Sequence, residues 1–268
     1  MEEVITSVAQ RWRDRVGSYR PVGEPIATRH YEVAAIAEDR VAKAFVLRHH
    51  YEGSYPAARV RVGLFRGAEL VGVAVFSQPV SDHVLRPLPG DAAANVELGR
   101  FVLLDDVPAN GETWFLARAF ELLRRGGFEG VVSFSDPSPR TTTSGEVSFR
   151  GHVGTIYQAS NGVYLGPART DTRRLLPDGR VLHNRALAKV RKRDKGWRYV
   201  VDALVAYGAP EPEEDADLRS WLEAVVPPLT RKERHPGNHK YVWGLSKASR
   251  RALPTSKAYP KFEGRTAA

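Results

Sequence analysis

The chain has no cysteine and one methionine in 268 residues, so neither a disulfide framework nor a cysteine-bound zinc centre is open to it. Long apolar runs are also missing, and a membrane-spanning helix needs about 18 or more such residues in a row. The first turn already carries Glu2 and Glu3, and Arg11, Arg13 and Arg15 follow, which does not read as a secretory leader. The expectation is a cytoplasmic protein. A metal set drawn from His50, Asp136, His152 and a tyrosine lacks the usual anchor, because no second histidine stands two or four positions from His50 or His152. His49 and His50 are adjacent and would point apart on a helix, so no metal ligand set is assigned.

Acidic charge is in deficit. Forty Lys and Arg against 31 Asp and Glu leave a net charge of +9, which favours a polyanionic partner. The densest block holds Lys189, Arg191, Lys192, Arg193, Lys195 and Arg198 around Trp197, a mix that meets phosphates and can stack on a base. The plain alternative is a solvated helix face. A second cluster runs from Arg231 to His239 and Lys240. Hydrophobic residues make up 42% of the chain, enough for one sizeable core.

Periodicity sets the order of elements. Val4, Ile5, Val8, Trp12 and Val16 lie at helical spacing and predict an N-terminal helix, followed by a linker with Pro21, Gly23 and Pro25. A strand is expected over 26–33 and a helix over 34–49, which brings His49, His50 and Tyr51 to its C-terminus. The apolar runs 60–65 and 70–76, split by Arg66-Gly67-Ala68-Glu69, predict a hairpin. A long loop leads to a strand over 96–104 that carries Glu97 and Arg100. Asn110 is placed to cap a helix over 111–125, stopped at Gly126-Gly127, and a buried strand follows over 131–135. A polar loop over 137–150, a short helix and another strand complete a mixed α/β core.

Beyond Gly166, Asn184 is set to cap a helix through the basic block, a second helix runs from Trp197 to Tyr207, and a third is stopped by Pro227-Pro228. A strand is expected over 241–245, with a loose basic tail from Ser246. The division read from this pattern is 1–25 as helix and linker, 26–168 as the core, and 169–268 as a basic, mostly helical extension packed on the core and suited to a polyanion such as nucleic acid.

Six stretches occur in a recognisable order: His49-His50-Tyr51, Leu70-Val71-Gly72-Val73, Glu97-Leu98-Gly99-Arg100-Phe101, Ser133-Phe134-Ser135-Asp136, Gly154-Thr155-Ile156-Tyr157-Gln158-Ala159 and His239-Lys240-Tyr241-Val242-Trp243. Together they resemble the Mom family of phage DNA-modification proteins on a GCN5-related N-acetyltransferase-like fold. That fold is a mixed, mostly antiparallel central sheet with helices on both faces. The resemblance implies a transferase that converts adenine in double-stranded DNA to an N6-carbamoylmethyl derivative, protecting phage DNA from host restriction in the cytoplasm of the infected bacterium. It implies catalytic roles for His50, Tyr51, Asp136 and Tyr157, with Glu97, Arg100, Ser135 and Gln158 around the substrate.

One departure concerns the donor. Acetyltransferases that use coenzyme A hold its diphosphate on a glycine-rich loop at a helix N-terminus. Here that place reads Asp105-Asp106-Val107-Pro108-Ala109-Asn110-Gly111-Glu112, whose acids oppose a diphosphate and whose proline removes a donor. The donor is therefore left unassigned, as is the oligomeric state. A coenzyme A-dependent N-acetyltransferase acting on a protein or small amine, and a nonenzymatic DNA-binding protein, stay open beside the leading reading.

Overall fold

The computed structural model describes residues 8–21 and 23–261. In chain order the elements are β1 (Val8–Arg13), β2 (Val16–Pro21), β3 (Tyr31–Ala35), α1 (Asp39–His49), β4 (Ala58–Arg66), β5 (Glu69–Ser77), β6 (Asn95–Leu103), α2 (Gly111–Arg125) and β7 (Gly130–Ser135). There follow β8 (Arg140–Thr141), β9 (Val147–Phe149), α3 (Thr155–Ala159), β10 (Val163–Pro167), β11 (Asp171–Leu175), β12 (Val181–Leu182) and α4 (Asn184–Lys192). The chain closes with α5 (Arg198–Ala206), α6 (Leu218–Leu229), β13 (Arg231–His235), β14 (His239–Gly244) and α7 (Lys247–Arg251). These elements form two compact units.

The first unit comprises residues up to Asp136, His152–Pro167 and the residues from Asn238. Its seven-stranded sheet runs β10-β14-β7-β6-β5-β4-β3, and every neighbouring pair is antiparallel except β6 and β7. This is the mixed, mostly antiparallel sheet expected. The β4–β5 hairpin forms because apolar alternation on both arms meets at Arg66-Gly67, where Gly67 takes a φ of +59° that glycine tolerates. Helix α2 presents Phe115, Leu116, Ala119 and Leu123 to Val62, Leu64, Ala74 and Phe76 in one buried cluster. Each large side chain enclosed there contributes roughly 1.5–3 kcal/mol relative to exposure. Along β5 the alternate residues Val73 and Val75 are equally enclosed, so both faces are covered. Helix α1 packs on β4, β5 and β6, with Ala42 and Val46 fully buried. Nearer β10, the segment after β5 supplies Leu85 and Leu88, which pack on Val132 and Val242.

The N-terminal helix expected from spacing is not what the described residues form. Its first positions, 1–7, lie outside the described residues, and from Val8 onward the chain is an antiparallel hairpin in which Arg13 pairs with Val16. Asp14 and Arg15 make the two-residue turn with φ of +49° and +66°, the left-handed pair that matches strand twist. Neither is glycine or asparagine, so the usual turn signal was absent from the sequence.

The second unit comprises Pro137–Gly151 and Ala168–Gly237. Helices α4, α5 and α6 enclose Leu187, Val190, Val200, Val201, Leu204, Leu218 and Leu222 in a separate core. The same unit holds a three-stranded sheet, β12-β11-β13, and the pair β8-β9. The region after residue 169 is thus less uniformly helical than expected, and β14 belongs to the first unit. The polar loop over 137–150 contains a small hairpin, and the second cationic cluster is partly strand because Arg231–His235 pairs along β11. Pro227 and Pro228 do not stop α6; they sit in its last turn, where few bonds remain to be lost. The tail expected to be loose forms α7 and then a strap as far as residue 261, and its last positions, 262–268, lie outside the described residues. In that strap Lys257 donates its N–H to Tyr164 O (2.8 Å), and Tyr259 Oη donates to Gly162 O (2.9 Å). Among the described residues no helix is long and apolar enough to cross a membrane.

Candidate active site

The site is built where two parallel strands part. β6 and β7 pair only at Asn95–Gly130, Val96–Val131 and Glu97–Val132, after which each follows its outer neighbour. A bulge explains the change on β6: Phe76 faces Leu98 and Val75 faces Arg100, leaving Gly99 unpaired. A side chain at Gly99 would put its Cβ 2.6 Å from Ser77 Oγ, so the bulge needs glycine. At the parting point Ser133 Oγ donates to Leu98 O (2.9 Å) and substitutes for the missing backbone bond.

Tyr157 reaches this point from α3. Gly154 precedes the helix at φ +76°, and its Cβ would lie 2.8 Å from Tyr241 and 2.9 Å from Tyr157, so a bare backbone lets the two rings close over it. The phenol of Tyr157 is enclosed beside Ser133. Burial pushes it above the ordinary tyrosine range, against the Ser133 hydroxyl and the charge of Arg100. Tyr157 therefore holds its proton across the neutral range. Its ring is fixed by Tyr241 and Trp243, each with its centroid 5.5 Å away.

Helix α1 ends at the same place. His50 closes the helix through its N–H to Val46 O (2.9 Å) and is buried. Its Nδ1 accepts the Glu52 N–H (3.2 Å), so in the neutral ring the proton sits on Nε2. Burial drives its pKa well below the usual histidine value; Arg100 and His152 push the same way and Glu52 opposes them. The Tyr51 ring stacks on His50 (4.4 Å between centroids) and is backed by Trp12 at 4.9 Å. Neighbouring His49 turns instead to the first hairpin, where its Nδ1 accepts the Asp14 N–H (3.1 Å).

A charged triplet completes the set. Arg100 donates through Nε to Ser54 O (3.0 Å) and through Nη2 to Ser54 Oγ (2.6 Å), tying β6 to the loop after α1. Burial raises Glu97, and the charges of Arg100 and Lys240 pull it back. Lys240 is lowered by burial, opposed by Glu97, and donates from Nζ to Val84 O (2.7 Å).

Thus His50, Tyr157, Glu97 and Arg100 come together, and Tyr51 joins them through His50. Asp136 is buried at the end of β7, where its carbonyl accepts the His152 N–H (2.8 Å). Ser135 is fully enclosed, and its hydroxyl has no hydrogen-bond partner among the described residues. Gln158 is engaged elsewhere: its amide donates to Tyr241 Oη, Val153 O and Pro260 O at 3.1–3.2 Å, bracing α3 and the C-terminal strap. Sequence reasoning missed Ser133, Gly99 and Gly154, and it grouped Lys240 with the DNA contacts. A serine in the run Val131-Val132-Ser133 was the available signal for Ser133.

A profile of the Mom protein family matches residues 30–261. The chain belongs to that family. Methylcarbamoylase mom of Escherichia phage Mu is 28% identical over 131 residues, a stretch that covers 47% of this chain and 50% of that relative. The chain thus matches about half the length of that curated relative. Two solved structures are also similar. One is a tandem GNAT protein from the clavulanic acid biosynthesis pathway, with 11% identity, 81% of this chain and 99% of that chain covered, and a TM-score of 0.42. The other is a Bacillus subtilis acetyltransferase in complex with CoA, with 10% identity, the same coverages and a TM-score of 0.32.

In this Mom-family chain the start of α2 does not suit a coenzyme A diphosphate. The Ala109 N–H is taken by Glu24 Oε2 (3.2 Å), and the Asn110 N–H points to Glu24 O (3.4 Å). Glu112, in the first turn, is gripped by Arg11, which is wholly buried and also donates to Val107 O (3.0 Å) and Pro108 O (2.7 Å). Burial and the charge of Arg20 push Arg11 down to about 10. Asp105 and Asp106 are bound by Arg13 and Arg66. Carboxylates hold the positions a phosphate would need. Among the described residues no three His, Cys, Asp or Glu side chains gather as a metal-binding group.

The residues assigned to DNA divide between the units. Lys189, Arg191, Lys192, Arg193, Lys195 and Arg198 lie on α4, the turn after it and the start of α5. There Arg193 and Arg198 lie over the Trp197 ring at 5.5 and 4.8 Å, and Lys189 lies over Tyr199 at 5.4 Å. His239 is in the first unit, its Nδ1 2.6 Å from Tyr164 Oη.

Proposed function

We propose that this protein is a DNA-modifying transferase that acts on the N6 amine of adenine in double-stranded DNA and leaves an N6-carbamoylmethyl group, shielding phage DNA from host restriction. The observation that carries the reading is the gathering of His50, Arg100, Glu97 and Tyr157 at the parting of β6 and β7, in a chain whose family includes a phage methylcarbamoylase. The exocyclic amine of adenine is a weak nucleophile because its lone pair is delocalised into the ring. Attack therefore needs alignment and a proton acceptor.

In the proposed step the N6–carbon bond forms while the bond from that carbon to its leaving group breaks. A carboxylate takes the proton from N6, and the phenol of Tyr157 protonates the leaving group. Asp136 and Glu97 are the carboxylates we assign to this role. Burial makes Glu97 a stronger proton acceptor than an exposed carboxylate. His50, neutral and with its proton on Nε2, offers a hydrogen bond that orients the donor, and Tyr51 holds the imidazole by stacking. Because N6 is unreachable within the stack, the adenine is rotated out of the duplex. The cations on α4 and the following turn hold the phosphates.

Mass spectrometry of nucleosides from DNA co-expressed with the protein tests the reading. The expected result is a modified adenosine with the mass of the N6-carbamoylmethyl derivative. Unmodified adenine beside soluble protein that binds DNA would sink it in favour of a nonenzymatic DNA-binding protein. Acetyl-coenzyme A binding by calorimetry, with acetylation of a protein or small amine, would favour the acetyltransferase; the carboxylates at the start of α2 argue against that outcome.

A further inference from the structure

We propose that Val80 is a wedge that enters the DNA base stack at the place vacated by the rotated adenine; this rests on the function proposed above. A base-flipping protein needs an apolar group near its pocket to fill the gap, since an empty step in the stack loses its contacts and invites the base back. Val80 is 80% exposed, more than any other large apolar side chain among the described residues. A lone exposed valine is ordinary on a protein surface, so its mounting and position decide the matter.

The mounting is rigid. Pro79 is buried on one side and Leu85 on the other, so the exposed valine stands between two anchors. Gln78 Nε2 donates to Asp82 Oδ1 (2.9 Å), a bond that spans the valine and engages that carboxylate. Ser81 Oγ accepts the His83 N–H (3.4 Å), and the Val84 N–H returns to Ser81 O (3.1 Å). Valine itself is β-branched and stiff, so inserting it sacrifices little side-chain freedom.

The position is beside the site. Lys240, whose charge acts on Glu97, holds Val84 O at 2.7 Å, four residues beyond the valine. The segment starts directly after Ser77, the β5 residue that pairs with Glu97. Exposed Arg86 in the same segment supplies a cationic partner, and exposed His83 a hydrogen-bonding one, for flanking phosphates.

The test compares one protein on two substrates. A wedge matters only where a duplex must be opened, so Val80→Ser should lower modification of a duplex target by about tenfold while a single-stranded target of the same sequence changes less than about twofold. With 2-aminopurine in place of the target adenine, wild-type protein should raise its fluorescence in a duplex and Val80→Ser should not. Val80→Leu, which keeps an apolar wedge, should retain most duplex activity. The Tm of each variant should match wild type, because the side chain touches little. Equal losses on both substrates, or no loss on the duplex, overturn the wedge and leave the proposed function standing. A wild-type protein that modifies neither substrate removes both.

Discussion

Replacing Tyr157 by Phe removes one oxygen from an enclosed ring and leaves everything else the ring touches. The contacts with Tyr241 and Trp243 persist, and Ser133 keeps its bond to Leu98 O, so no buried donor is orphaned. The stability cost is at most that of one neutral hydrogen bond, about 1 kcal/mol. For a chain of this size that lowers Tm by about 2–4 °C. Catalysis is on a different scale, because loss of a positioned proton donor costs roughly 10²–10⁴ in rate. Tyr157→Phe should therefore fold and bind DNA while modified adenosine falls by at least about a hundredfold. Since burial raises the phenol, wild-type activity should not decline through loss of that proton until pH exceeds the ordinary tyrosine range. The assay is nucleoside mass spectrometry of DNA from cells with matched protein levels, alongside thermal unfolding. Product within about threefold of wild type would refute a proton-donor role, because even the smallest such contribution exceeds that. A Tm drop far beyond the hydrogen-bond figure would show that the oxygen is structural.

His50 gives a pH prediction. Its folded pKa lies well below 6.5, so below about pH 6.5 the unfolded chain binds a proton that the folded chain refuses, and stability falls as the pH falls. His50→Gln should flatten that acid limb in denaturant titrations at pH 7 and pH 5; an unchanged difference would mean the imidazole is accessible. Gly154→Ala forces a Cβ to within 3 Å of Tyr241 and Tyr157 at a positive φ, and should cost about 2–4 kcal/mol by urea unfolding. A near-neutral result would mean that α3 shifts freely. Changing Lys192 and Arg193 together to Gln should weaken DNA binding and reduce the slope of log K against log salt by about 2, read by fluorescence anisotropy. An unchanged slope returns the block to solvent.

Much of the sheet was legible because its period is strong. The alternating arms around Gly67 and the apolar stripe of α2 have no competing interpretation, and the structure repeats both. The first hairpin was not legible, since Val8, Trp12 and Val16 also fit helical spacing and the turn at Asp14-Arg15 has arginine where such a turn usually has glycine. At the site, the resemblance put forward His50, Tyr51, Asp136 and Tyr157, with Glu97, Arg100, Ser135 and Gln158 around the substrate. It could not name Ser133, Gly99 or Gly154, whose roles arise from where β6 and β7 stop pairing, a property of register rather than of composition. Lys240 was assigned by its charge to DNA; in the structure it is half-buried and donates to Val84 O, and the charge of Glu97 acts on it.

The chain leaves the first unit and rejoins it twice. The chain departs after Asp136 and returns at His152, whose N–H is bonded to Asp136 O (2.8 Å); it departs again after Pro167 and returns at Asn238, beside His239, the cross-strand partner of Pro167. Both excursions thus begin and end at points already held together by the first unit. The cost of closing such a loop rises only by about 0.6 kcal/mol for each doubling of its length, so the sheet is nearly indifferent to how much chain is spliced in. Evolution could lengthen, trim or exchange these excursions without disturbing the strand register that gathers His50, Glu97 and Tyr157. Relatives that differ most between residues 168 and 237 would then share one reaction while holding their polymer differently.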